Sequence, residues 1–254
     1  MHRILAMAAA ICLASPAFAD WSGDKMNAQI DQTNFVVNQG CSGTLIDAVN
    51  RYILTAAHCV GAQYKTTIRE EIADDGEVKK KEVRILIPGN VQQITFNDHG
   101  NEIREVTYRT KMVVVDRFRD LAVVQIISPV PNIIASKIAC GDVKRGDRVK
   151  IVGNPTGVLY SSVVEGIVSS VERDYSTINF GDTEQSDKGL IQISGGVIGG
   201  NSGGSVYNDA GELIGVPVIA HRSNETLGFA VPVWAIRDFL SARPELAQIV
   251  ACIP

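Results

Sequence analysis

The sequence predicts an all-β protein of the barrel or sandwich kind, and three observations carry that prediction. Apolar segments are short, rich in Val and Ile, and broken roughly every ten residues by Gly, Asn, Asp or Pro. No βαβ alternation is visible, which argues against a parallel nucleotide-binding sheet. Helical spacing appears only near the C-terminus.

In chain order, the opening MHRILAMAAAICLASPAFAD joins a basic tip at Arg3 to an apolar run from Ile4 to Leu13 and a small-residue end, Ala17-Phe18-Ala19. This is the pattern of a secretory signal peptide cut after Ala19. The run falls short of the roughly 20 residues needed to cross a bilayer, and no later stretch is longer or less charged. The expectation is an exported, soluble chain, periplasmic or secreted, with no integral membrane segment. Removing Arg3 leaves 23 basic against 28 acidic side chains, a balance that argues against nucleic acid or an anionic membrane as partner. Residues 20–254 suffice for one large all-β domain or two compact halves, with no room for an accessory domain.

The strand candidates follow as CSGTLIDA, RYILTAA, EVRILI, TKMVVV, LAVVQII, DRVKIVG, SVVEGIVSSVE, LIQIS, GELIGVPVIA and GFAVPV. IREEIADDGEVKKKEVRI holds eleven charges around Asp75-Gly76, a hairpin dipeptide, and reads as a solvated hairpin. ISPVPNIIASKIACGD, with two prolines, is the natural link between two halves. Pro232 opens a final helix in VWAIRDFLSA and Pro244 closes it. Four cysteines remain after the signal, Cys41, Cys59, Cys140 and Cys252, an even number that suggests two disulfides in an exported chain; three pairings are open.

Three segments carry chemistry. Read singly, His58 at the end of an apolar strand, Asp120 before Leu121–Ile127 and the turn Gly199-Gly200-Asn201-Ser202-Gly203-Gly204 each have an ordinary structural explanation. Read together they supply what one reaction needs. A serine hydroxyl is a weak nucleophile until a base takes its proton, the base needs an orienting carboxylate, and the oxyanion needs backbone donors. His58, Asp120, Ser202 and the N–H groups of Gly200 and Ser202 fill those roles. The glycine turn is not a phosphate loop, because no Lys-Ser/Thr follows it. No pair of histidines has ligand spacing, His99 and His221 reading as loop residues, and Asp182 and Asp187 flank a polar loop without a calcium pattern. No metal or cofactor is expected.

These residues bring the sequence to a known family. T-A-A-H-C at 55–59, D-L-A-V-V at 120–124 and G-N-S-G-G at 200–204, in the order His, Asp, Ser, resemble the trypsin/chymotrypsin superfamily. GDRVKIVGNPTG, VVEGIVSSVER, GNSGGSVYNDAGELIG and GFAVPVWAI look most like the protease domain of HtrA (Deg-type) proteases, and the likeness spans roughly 38–241. It implies two six-stranded antiparallel Greek-key barrels, a C-terminal helix, and a cleft between the barrels with His58 and Asp120 from the first and Ser202 from the second. The expected division is 1–19 signal, 20–130 first barrel, 131–145 linker, 146–231 second barrel and 232–254 helix and tail.

The resemblance also implies the pairs Cys41–Cys59 and Cys140–Cys252. It places the pocket for the residue before the scissile bond at Gly196 and Val197, walled by Ala220 and Gly228, with no carboxylate. Ala220 would narrow one side and Gly228 leave the other open. An unpaired cation there would cost several kcal/mol, so cleavage after small or medium apolar residues is expected. Pro217 stands where glutamate-cleaving relatives carry a histidine. Two departures from the superfamily are informative: Asn201 replaces the aspartate that receives an inserted N-terminus in digestive members, and the chain ends fourteen residues past Leu240, which leaves no room for the PDZ domain usual in HtrA proteins. The resulting expectation is a serine endopeptidase acting on protein or peptide substrates, of unspecified oligomeric state. The alternatives are a catalytically silent homologue that binds peptides or assists quality control, and an esterase, which lacks its strand-turn-helix context here.

Overall fold

In a computed structural model of the chain, residues 21–38, 40–61, 63–72, 78–87, 89–97, 101–174, 189–221 and 224–252 are described. The strands in chain order are β1 Asn34–Val37, β2 Cys41–Asp47, β3 Tyr52–Thr55, β4 Gln63–Ile72, β5 Val78–Ile87, β6 Asn90–Phe96, β7 Glu102–Asp116, β8 Leu121–Ile126, β9 Arg148–Gly153, β10 Ser162–Ser170, β11 Ile191–Ser194, β12 Ser205–Tyr207, β13 Leu213–His221 and β14 Asn224–Pro232. Two closed six-stranded barrels result, β1-β2-β3-β8-β7-β6 and β10-β11-β14-β13-β12-β9, with antiparallel pairing throughout. This is the expected all-β architecture, and it follows from the short Val/Ile runs: too brief for helices, they bury their apolar faces by closing on themselves, which also removes exposed sheet edges. Phe35, Leu45, Ile53, Leu54, Leu121 and Ile126 fill the first barrel and Ile151, Ile191, Ile193, Tyr207 and Leu213 the second, all fully buried. Each such side chain contributes about 1.5–3 kcal/mol.

The charged run forms a two-stranded ribbon outside both barrels, β4 pairing β5 from Gln63↔Ile87 to Ile72↔Val78. The expected turn Asp75-Gly76 lies outside the described residues, as do the signal segment, His99, Asp182 and Asp187.

The restriction of helix to the C-terminal end is corrected. Helix α1 runs from Gly23 to Thr33. Its sequence GDKMNAQIDQT buries only Ile30 and Thr33 and has little apolar periodicity to announce it. Tertiary anchors hold it in place. Trp21, just before it, stacks 4.7 Å from Tyr207 of β12 and donates its backbone N–H to Asp209 O, and Gln29 Nε2 donates to Gly211 O at 3.0 Å. The N-terminal helix is thereby strapped across from the first barrel to the second.

The interdomain segment is tied to both barrels. Ser136 N–H reaches Leu45 O at 2.8 Å, and Ala139 N–H reaches Leu213 O at 3.0 Å. Helix α2, Val233–Ser241, buries Val233, Ala235, Ile236, Phe239 and Leu240, and α3, Pro244–Ala247, follows. Arg237 of α2 donates to Ala139 O and Cys140 O and pairs with Asp142, while the Cys140–Cys252 disulfide fastens the tail to the same segment. Among the described residues no helix is long and apolar enough to cross a membrane.

Candidate active site

His58 lies in a short 3-10 turn, Ala57–Val60, that ends β3, and Asp120 lies immediately before β8. The two strands are neighbours, Thr55 opposite Ala122, so sheet register carries both residues to one barrel end. His58 Nδ1 stands 2.7 Å from Asp120 Oδ2, and the His58 backbone N–H donates to Asp120 Oδ1 at 2.9 Å. Ala57 N–H donates to the Asp120 carbonyl at 3.1 Å. The aspartate is buried at 2% exposure, whereas the histidine side chain is 44% exposed. One carboxylate therefore fixes both the imidazole and the turn that bears it, leaving Nε2 toward the open side. Asp120 has a left-handed backbone, φ +56°, which costs energy for a non-glycine residue and is tolerated best by Asp and Asn. The preceding turn holds it there, Asp116 Oδ1 accepting the N–H groups of Phe118 and Arg119 at 3.0 Å each.

Ser202 comes from the second barrel, in the turn between β11 and β12, and the seam between barrels brings it to the same place. Ser42 N–H of β2 donates to Ser202 O at 2.8 Å, and Gly203 N–H donates to Pro217 O of β13 at 2.8 Å. Cys59 Sγ, next to His58 and bonded to Cys41, lies 3.6 Å from Ser202 O. Gly203, at φ +82°, packs so tightly that any side chain would strike Thr55 Oγ1 and Ser42 O. Among the described residues, no hydrogen bond links Ser202 Oγ to His58 Nε2.

Within the turn, Asn201, Gly203 and Gly204 donate their N–H groups to Ile198 O, Pro217 O and Asn201 O. Those of Gly199, Gly200 and Ser202 have no acceptor among the described residues. The orientation at Gly200 is set from behind. Thr156 N–H holds Gly199 O at 2.6 Å and Ser42 Oγ–H holds Gly200 O at 2.7 Å, so both peptide planes flanking Gly200 are pinned. In a trans peptide the N–H points opposite the carbonyl, which turns Gly200 N–H away from Thr156. Gly200 has φ +100°, and a Cβ there would overlap Asn154 O.

Behind this turn is a buried polar network that sequence reasoning missed. Asn154 accepts from Asn34 Nδ2 and Ser161 N–H at Oδ1, donates from Nδ2 to Phe35 O and Ser42 Oγ, and donates its N–H to Ser42 Oγ at 2.8 Å. Asn154 and Ser42 are fully buried. The only sequence signal was the unexplained Gly153-Asn154-Pro155 within the quoted motif, and nothing local distinguishes a buried asparagine from a turn asparagine.

The pocket residues are also neighbours. Gly228 pairs with Ile193 and Ala220, and Gly196 O accepts from Asn201 Nδ2 at 3.4 Å. Val197 is buried at 1% exposure with its isopropyl group against Gly228, where an added Cβ would lie 2.6 Å from Val197 Cβ. The space beside Gly228 that was expected to stay open is therefore filled by Val197. Gly228 lacks a side chain because Val197 needs that volume. Cys41, His58 and Cys59 cluster with ligand atoms within 4.8 Å of one another, but both sulfurs are spent in the disulfide, so no thiolate exists there for a metal.

Two six-stranded barrels meeting where a buried aspartate, a histidine and a serine turn converge define the class of trypsin-like peptidases. The chain belongs to that family: the trypsin-like peptidase domain model matches residues 41–216. Within it, the similarity is to HtrA-type members. The periplasmic serine endoprotease DegP of Escherichia coli K12 is 30% identical over 212 residues, which cover 82% of this chain and 36% of DegP. A serine protease HtrA-like protein of Staphylococcus aureus USA300 is 35% identical over 150 residues, 56% of this chain and 18% of that one. The chain thus spans about a third of DegP or less of such relatives. Among solved structures, the HtrA-type protease AlgW with a decapeptide superposes with a TM-score of 0.53 at 25% identity, covering 79% of this chain and 50% of AlgW.

Proposed function

We propose that the chain is an exported serine endopeptidase that hydrolyses peptide bonds through an acyl-enzyme, with His58, Asp120 and Ser202 as triad. The observation that carries this is the clamp of Asp120 on His58 beside a serine turn whose Gly200 and Ser202 N–H groups have no acceptor among the described residues. Ser202 Oγ attacks the substrate carbonyl while His58 Nε2 takes its proton, and Asp120 holds Nδ1–H and stabilises the imidazolium that forms. The carbonyl oxygen becomes an anion in a site where two fixed donors meet it. His58 then returns the proton to the leaving amine, and a water repeats the sequence to free the acid. The Val197-filled pocket favours Ala, Val and other small or medium apolar residues before the scissile bond, since none of Gly196, Val197, Ala220 and Gly228 carries a carboxylate to neutralise Lys or Arg. Export fits the apolar leader, two disulfides and a periplasmic relative.

The missing Ser202–His58 hydrogen bond favours a second reading, a peptide-binding homologue without turnover. Catalytic contacts are often long before substrate binds, so the same geometry suits a resting enzyme. A fluorophosphonate probe separates the two: labelling of wild type but not of Ser202→Ala supports the peptidase, and no labelling of a folded wild type supports the binder.

A further inference from the structure

Helix α1 lies against the end of the first barrel, and between them is a cavity of about 660 Å³, within the usual range for small-molecule sites. Its floor is formed by β6 and β7, where Gln93 stands opposite Val106, Thr95 opposite Arg104 and Val91 opposite Tyr108. Gln93 and Tyr108 are each only 8% exposed, yet neither the amide nor the hydroxyl has a hydrogen-bond partner among the described residues. Neither is among the polar atoms sealed from solvent without a partner, so both open onto the cavity and give its floor two polar groups for a solute.

The walls add charge of both signs. Asp31 of α1 and Arg104 of β7 both line the cavity, and neither is hydrogen-bonded or ion-paired through its side chain, with the other or with any described residue. Burial pushes the Asp31 carboxyl above its ordinary range, as happens to a carboxylate with no cation close by. The Arg104 guanidinium offers a planar fork that matches a carboxylate. Pro131, from the interdomain segment, adds apolar lining.

We propose that this cavity binds a small zwitterion, a dipeptide, with its ammonium on Asp31, its carboxylate on Arg104 and its one amide group on Gln93. A lone cation would leave Arg104 unmatched, and a lone anion would leave Asp31 unmatched. A zwitterion satisfies both walls and the floor together. The site lies on the α1 side of the first barrel, and the proposal does not rest on the peptidase reading.

The test uses Ala-Ala as probe, with calorimetry on the intact Ser202→Ala protein so that the probe is not turned over. Ala-Ala is expected to bind, and Asp31→Asn or Arg104→Gln is each expected to weaken binding roughly tenfold or more, the usual loss for one charge-assisted contact. N-acetyl-Ala-Ala is expected to bind Asp31→Asn no worse than the parent, and Ala-Ala amide to do the same with Arg104→Gln. A second readout needs no substitution: the Gln93 side-chain amide resonance in nitrogen-resolved NMR is expected to shift on titration. Binding that ignores both substitutions, as for a dipeptide held in the peptidase cleft, overturns the proposal. So does absence of binding, or a Gln93 resonance that stays in place while heat is released.

Discussion

Ser42 on β2 donates its hydroxyl to the carbonyl of Gly200 at 2.7 Å across the seam between the barrels, and in doing so sets the direction of a peptide in the serine turn. The same oxygen accepts Asn154 N–H at 2.8 Å. A residue of the first barrel thus positions a turn of the second.

Ser42→Ala is expected to lower kcat by roughly tenfold or more while leaving KM nearly unchanged. What is lost is the anchor on the peptide between Gly200 and Asn201, which joins the Gly200 and Ser202 N–H groups, while Gly199 O keeps its bond from Thr156. Stability should fall by about 1–3 kcal/mol, since Gly200 O and Asn154 N–H lose their buried partner. Denaturant melts together with steady-state kinetics check this; a change in KM alone would assign Ser42 to substrate binding.

For the triad, Ser202→Ala or His58→Ala should lower turnover by roughly 10⁴–10⁶ and Asp120→Asn by about 10⁴, magnitudes known from serine proteases. The double variant Ser202→Ala/His58→Ala should be no slower than Ser202→Ala. Wild-type turnover in Ser202→Ala would exclude the mechanism.

Val197→Ala should deepen the pocket and move preference from Ala and Val toward Leu and Met, by about 1–3 kcal/mol per methylene gained. Gly228→Ala should do the reverse, because its methyl enters the volume Val197 occupies. Profiling a peptide series varied only before the scissile bond checks both. Efficient cleavage after Arg or Glu would place the pocket elsewhere.

Glu212 is expected to contribute a pH-dependent part of stability. Its hydrogen-bonded ion pair with Lys137, at 2.6 Å, holds the carboxyl below its ordinary value of 4.5. The folded state therefore favours the ionised form: the contribution is complete above about pH 4.5 and is lost as pH falls through the lowered value. Glu212→Gln should have a lower Tm than wild type at pH 7, and the gap should narrow as pH falls below 4.5. A gap that is constant over this range would assign the effect to packing.

Much of the architecture is legible in the chain itself because the relevant signals are local. Val/Ile runs of strand length separated by turn residues already point to a barrel or sandwich, and the order His58, Asp120, Ser202 with glycines around the serine already points to one kind of chemistry. Asp75-Gly76 within a charged run announced the β4–β5 ribbon because hairpin pairing is set by its own turn. Helix α1 is silent in the sequence, since only Met26 and Ile30 mark its buried face and its stability comes from Trp21 on Tyr207 and Gln29 on Gly211, partners about 180 residues away in the chain. The tertiary structure alone decided that Val197 fills the room left by Gly228 and that Ser42, Asn154 and Asn34 form one buried network behind the serine turn. Volume exclusion and hydrogen-bond direction between residues distant in sequence exist only once the two barrels have closed on each other.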